Sequence, residues 1–136
     1  MRYLCIDYGQ KRVGLAMSDP LGIIAQPMGF LPRDGQTLRK LVGMVKEHEV
    51  QEIVLGHPIS MDGRPSAMTL EVEKFAKELQ DALSVPVHLW DERLSTAQSE
   101  RFLVGADVRR SKRKEVRDSI AASLILQSFL EAQSAS

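Results

Sequence analysis

Three short apolar segments, each ending at a glycine or a carboxylate, constrain the fold of this chain more than any other feature. They are Tyr3 to Asp7, Glu52 to Leu55 ending at Gly56, and Val87 to Glu92. Ahead of the second, Leu38, Leu41, Val42 and Val45 recur at helical spacing; ahead of the third, Leu70, Val72, Phe75, Ala76, Leu79 and Leu83 do the same. Short apolar runs bounded by such helices read as strands covered on both faces. Strands joined through right-handed helical crossovers lie parallel. Their carboxyl ends then share one edge of a sheet, the edge at which open α/β sheets bind ligands. Asp7, Gly56 and Glu92 all fall on it.

Between the first two segments the chain reads as two further strands. Arg12 to Ser18 is followed by Asp19-Pro20-Leu21-Gly22, which has the residues of a tight turn. Ile23 to Phe30 returns antiparallel, with Pro27 marking an edge or an early end. Ser95, followed three residues later by Gln98, fits a capping box, so a helix is expected to start there. Gly105 to Lys114 reads as a polar loop. Val116, Ile120, Ala121, Leu124 and Phe129 give a final helix its buried stripe. The expectation is an α/β fold: a five-stranded mixed sheet, made of an antiparallel three-strand meander plus two parallel strands, flanked by helices. It forms a single domain over residues 1–136.

Composition narrows the function. At 136 residues and 43% hydrophobic content the chain can bury an ordinary core. Its 18 basic and 18 acidic side chains cancel, so only a local patch can attract nucleic acid. Cys5 is the sole cysteine, which excludes an intrachain disulfide. The longest uncharged stretch, Pro20 to Pro32, contains three prolines and falls short of the ~20 apolar residues of a membrane span. The N-terminal apolar run is broken by Asp7 and Lys11, unlike a secretory signal. A cytoplasmic protein with no membrane partner is expected.

The chemistry lies in carboxylates. Asp118 stands four residues before Ala122 and seven before Ile125, close to the apolar stripe, where a lone carboxylate is costly. If the last helix packs across the sheet, Asp118 joins Asp7 and Glu92. Converging carboxylates repel unless they share a cation or a proton. Mg²⁺ and Mn²⁺ prefer oxygen ligands and complete their shells with water and phosphate. The trio therefore suits a metal-dependent nuclease, with Asp7 on the central strand as the bridging ligand. Side chains alternate along a strand, so Asp91 and Glu92 face opposite ways. Glu92 is the expected ligand and Asp91 the alternative. For Asp118 the plainer reading is an exposed residue paired with Arg117 or Lys114.

Around these acids lie residues suited to a nucleic-acid substrate. From Arg109 to Arg117, six of nine residues are basic, including Arg109, Arg110, Lys112, Arg113 and Lys114. Beside Asp118 such a run is expected to follow a phosphate backbone, supplying affinity with little sequence reading. Reversing the charges of Arg109 and Arg110 should weaken binding and flatten its salt dependence, with turnover at saturation little changed; an unchanged salt slope removes the run from the substrate path. Arg12 and Arg93 lie near the same sheet edge. Gly9 and Gly56 would let a substrate approach closely, and Gly9 also suits a turn with positive φ. His57 would position water or touch phosphate. Tyr8 is a candidate for base stacking, although aromatic content is only 5%.

Four blocks in order resemble the YqgF family, also called RuvX, of the ribonuclease H-like superfamily. They are Asp7-Tyr8-Gly9 with Arg12-Val13-Gly14-Leu15-Ala16; Gly56-His57-Pro58 with Asp62-Gly63; Asp91-Glu92-Arg93-Leu94-Ser95-Thr96; and Asp118-Ser119-Ile120-Ala121-Ala122. The resemblance implies a ribonuclease H-like sheet with helices on both faces and catalytic acids at Asp7, Glu92 and Asp118. It implies a metal-dependent nuclease using Mg²⁺ or Mn²⁺, associated with maturation of the 5′ end of pre-16S rRNA in ribosome biogenesis. The implied partner is structured nucleic acid, with precursor rRNA favoured and branched DNA, cut by a Holliday junction resolvase, the alternative. The protein would act as a monomer or a homodimer. Related resolvases carry an acid near the end of the fourth strand. Here that region reads Gly56-His57-Pro58, so the second ligand must come from Glu92. Two other readings share parts of the pattern: an actin-type nucleotide-binding domain, which needs two such domains to clamp ATP, and a non-catalytic RNA-binding ribosome-assembly factor.

Overall fold

The computed structural model describes residues 1–95 and 110–135, with side chains of the last segment described from Asp118 onward. The elements are β1 (Tyr3–Tyr8), β2 (Arg12–Ser18), β3 (Ala25–Pro32), α1 (Thr37–Glu47), β4 (Glu52–His57), α2 (Ala67–Ala82), β5 (Val87–Asp91), a 3₁₀ turn (Glu92–Leu94) and α3 (Arg110–Ala135). The sheet order is β3-β2-β1-β4-β5. β1, β2 and β3 pair antiparallel, while β1, β4 and β5 pair parallel. The expected mixed sheet is therefore present, with β1 at its centre.

Alternation along each strand sorts the core into two layers. Leu4, Ile6, Val13, Leu15, Met17, Ile53 and Leu55 pack on one face against Leu41 and Val45 of α1 and Val72, Phe75 and Leu79 of α2. Cys5, Ala16 and Val54 pack on the other face against Ala121, Ala122, Ile125, Leu126, Phe129 and Leu130 of α3. Residues on the α3 face are small, so that helix lies close to the sheet. Asp7 follows Cys5 by two positions and shares its face.

Local chemistry explains where the elements depart from expectation. The turn after β2 closes as read, with the Gly22 N–H donating to the Asp19 carbonyl at 3.0 Å. The Asp19 carboxylate then accepts the N–H groups of Ile23 and Ile24 at 2.7 and 2.9 Å. Those two residues are held in the turn, and β3 begins only at Ala25. The same bonds, led by Ile24, hold the Asp19 carboxyl below its ordinary value. A carboxyl depressed in the fold contributes stability above its unfolded-state value and loses it as pH falls through the folded one. The stability gap between wild type and Asp19→Ala should therefore narrow from neutral pH to about pH 3, read by urea unfolding.

α2 starts three residues earlier than the first apolar position suggests. Ser66 caps it and Thr69 returns the bond, a capping box with Thr in place of Glu or Gln. Thr69 is buried and Leu70 is exposed, which corrects the expected stripe. α3 likewise begins at Arg110, within the expected polar loop, because Lys, Arg and Glu are good helix formers and no Gly or Pro interrupts them. The helix expected from Ser95 falls on residues 96–109, outside the described residues. Ser95 itself closes the 3₁₀ turn, donating its N–H and Oγ–H to the Glu92 carbonyl.

A buried hydroxyl helps to hold α3 against the sheet. Opposite Leu15, β3 carries two residues, Met28 and Gly29, in a bulge with Gly29 at φ 82°. The Gly29 N–H donates to Ser119 Oγ at 3.0 Å, and Ser119 Oγ–H donates to the Leu15 carbonyl at 3.4 Å. Gly29 is exposed, so water can reach the freed amide, and Ser119→Ala should cost about 0.5–1.5 kcal/mol, the range for an ordinary hydrogen bond, as a lower denaturant midpoint at unchanged slope. Among the described residues, no helix is long and apolar enough to cross a membrane.

Candidate active site

Asp7, Glu92 and Asp118 line one cavity of about 330 Å³, with Tyr8, Gly9, Pro58 and Met68. Asp7 and Glu92 are buried, at 8% and 4% exposure. The Asp118 side chain is about a quarter exposed, with its Oδ2 3.9 Å from Arg12 Nη1. Their convergence follows from strand spacing. β1 and β5 are separated by β4, so their backbones lie ~10 Å apart. Glu92 has to reach back across β4, and the residue beneath it is Gly56. A Cβ built on Gly56 would stand 3.4 Å from Glu92 Cγ and 3.1 Å from Ile125 Cδ1. Gly56 is thus covered by Glu92 and α3, where the sequence reading left it open to substrate.

A second glycine lies on the other side of Asp7. Gly14 of β2 pairs with Asp7 in register. A Cβ there would stand 2.2 Å from the Asp118 carbonyl oxygen. The absent side chain is what lets α3 deliver Asp118 next to Asp7. Sequence reasoning quoted Gly14 in a motif but not as a site residue. The available signal was a glycine inside a strand, which marks close backbone approach.

The carboxylates act together on their surroundings. The buried Cys5 thiol is pushed well up, first by burial and then by the negative charges of Asp7 and Glu92. Asp91 turns away, as strand alternation requires. Arg93 grips its carboxylate through Nε and Nη2 at 2.7–3.1 Å, and this fork holds the Asp91 carboxyl below its usual value. Arg93 Nη1 also donates to the Ser60 carbonyl at 3.4 Å. Arg93 is therefore engaged within the protein, tying the loop after β4 to the end of β5, where the sequence reading offered it to nucleic acid.

Other expected residues separate in the same way. His57 points to the α2 face, with Nε2 3.0 Å from Glu73 Oε2, and does not line the cavity. Gly9 does line it, but its φ is not positive. A Cβ on Gly9 would meet the Arg12 carbonyl at 2.8 Å, so steric room in the turn is what requires glycine. Tyr8 stacks on Phe75 at 4.3 Å, and the Arg33 guanidinium lies over the same ring at 4.4 Å, leaving no face for a base. Arg110, Lys112, Arg113 and Lys114 occupy the first turns of α3, one to two turns ahead of Asp118; Arg109 lies outside the described residues.

The donor set fits Mg²⁺ or Mn²⁺ in kind. All three groups are hard oxygen ligands, and two are buried where a cation offsets the cost of their charge. As they stand, no group of three His, Cys, Asp or Glu among the described residues is close enough to hold an ion.

Comparison with known proteins gives a consistent picture. The RuvX family model, described as "Holliday junction resolvase", matches residues 1–132. A Syntrophomonas wolfei protein named "Putative pre-16S rRNA nuclease" is 46% identical over 133 residues, 96% of this chain and 94% of that one. A Halothermothrix orenii protein of the same name is 44% identical over 135 residues, 98% of this chain and 96% of that one. Among solved structures, T. thermophilus RuvC in complex with a Holliday junction substrate superposes with a TM-score of 0.62 at 14% identity, covering 98% of this chain and 96% of that one. At that identity the likeness is one of fold.

Proposed function

The chain belongs to the RuvX family, and from that membership we propose that it is a metal-dependent endonuclease that trims the 5′ end of precursor 16S rRNA in the cytoplasm. The observation carrying this reading is the convergence of Asp7, Glu92 and Asp118 on one cavity at the carboxyl edge of the sheet, with Gly14 making room for the approach of Asp118. A nuclease that hydrolyses phosphodiester bonds agrees with the family and with the names of its relatives.

Asp7, Glu92 and Asp118 would hold Mg²⁺ or Mn²⁺, which supplies an activated water and relief of charge on the leaving oxygen. Asp7, on the central strand between the other two, would be held in common by the bound metal. Arg12, with Nη1 3.9 Å from Asp118 Oδ2, sets a positive charge beside that carboxylate. The basic positions at the start of α3 lead away from the cavity along one helix and attract the phosphate backbone without reading bases.

The family's description favours a second substrate, branched DNA. The same acids would serve, but symmetric cutting of two strands needs a homodimer, whereas trimming one RNA strand is open to a monomer. A precursor 16S rRNA fragment and a four-way DNA junction, each with Mn²⁺, separate the two when tested with wild type and identically purified Glu92→Gln. Cleavage of the RNA by wild type alone supports the proposal. Cleavage of the junction alone replaces it with the resolvase. Equal cutting by both proteins marks a contaminant, and the chain is then an RNA-binding assembly factor.

A further inference from the structure

The turn that follows Asp7 and Tyr8 is held by a residue far from it in sequence. Arg33 follows directly on β3. Its backbone N–H donates to the Lys11 carbonyl at 3.0 Å, and its Nη1 donates to the Gly9 carbonyl at 3.1 Å. The same Nη1 lies 3.3 Å from Glu71 Oε2 of α2. Its guanidinium covers the Tyr8 ring, which in turn stacks on Phe75 of α2. One side chain thus ties both residues after Asp7 to α2, while the Gly9 N–H is held by the Arg12 carbonyl at 3.0 Å.

We propose that Arg33 is a positioning residue for the reaction: by clamping Tyr8 and the Gly9 carbonyl against α2, it fixes where the Asp7 carboxylate stands in the cavity. This rests on the nuclease reading above. The role needs a planar guanidinium, because stacking on Tyr8 and a directed bond to a carbonyl are made at once. A lysine ammonium keeps the charge but loses the plane. Glu71 already balances the charge, so Arg33 acts by geometry and not as a free cation for phosphate.

The test compares wild type, Arg33→Lys and Arg33→Ala by steady-state kinetics with Mn²⁺ and by hydrogen exchange at the Gly9 amide. Positioning predicts that both variants lose kcat by about 10–100-fold with KM little changed, as for small misplacements of reacting groups. It also predicts that Gly9 exchanges faster in both, at a melting temperature close to wild type. Restoration of kcat by lysine, or a rise in KM with a flatter salt slope in the alanine variant alone, overturns it in favour of a phosphate contact. Gly9 exchange equal to wild type also overturns it. If wild type itself fails to cleave, the nuclease reading fails, while the exchange measurement still decides whether Arg33 holds the turn.

Discussion

Asp7→Asn is expected to lower the cleavage rate by more than about a hundredfold while leaving the fold in place. The lower bound follows from metal sites in general, where even partners of the ligands cost about 10–100-fold when removed; a shared ligand should cost at least as much. Asparagine matches aspartate in shape, so the register of β1 with β2, in which Asp7 faces Gly14, has no reason to shift. What is lost is the charge and one anionic oxygen. Two measurements distinguish this from misfolding. Far-UV circular dichroism and the melting temperature without metal should stay close to wild type. The rise in melting temperature on adding Mn²⁺, which reports binding to the folded state, should shrink or vanish. A variant that unfolds, or that still cleaves at the wild-type rate, removes Asp7 from the centre of the account.

Gly14→Ala is expected to damage both stability and activity through a single methyl group. The added Cβ would lie 2.2 Å from the Asp118 carbonyl oxygen, 2.6 Å from its carbonyl carbon and 3.1 Å from its Cβ. Two of these are backbone atoms in the middle of a helix, so no side-chain rotation relieves the clash. α3 must lift from the sheet there, just ahead of Ala121, Ala122 and Ile125, which it buries against Cys5, Ala16 and Val54. Overpacking of a well-filled core costs about 1–3 kcal/mol. Cleavage should fall further than the unfolded fraction explains, because Asp118 moves with the helix. A Gly14→Ala protein with wild-type stability and rate would mean that the approach of α3 to β2 has no part in the site.

Most of the fold was legible because the strands obey simple rules. β2 falls on the residues that its pattern marks, and the sheet has the expected mixture of parallel and antiparallel pairs. Asp91 and Glu92 part as expected, although β5 ends at Asp91 and Glu92 opens the 3₁₀ turn where the strand was expected to run on; the structure gives Asp91 to Arg93 and turns Glu92 into the cavity. What escaped sequence reasoning is made of contacts between distant segments. Gly14 matters because of Asp118, more than a hundred residues away. Arg33 matters because Gly9, Tyr8 and Glu71 meet there. His57 sits at the right strand end but on the wrong face, and only the helix that covers that face, through Glu73, reveals it. The start of α3 was missed because a basic run resembles a solvated loop when charge is weighed ahead of helix propensity. Beyond Ser95, the expected helix and Arg109 lie in the stretch that the structure leaves undescribed.

The central claim is that the three acids lining the cavity form one metal site. Calorimetric titration of Mn²⁺ into wild type, Asp118→Asn and Asp91→Asn tests it without reference to any substrate. The account predicts saturable binding to wild type, binding weakened at least tenfold in Asp118→Asn, and binding like wild type in Asp91→Asn, whose carboxylate faces away and is held by Arg93. Equal binding by all three proteins, or loss of binding in Asp91→Asn alone, would contradict it.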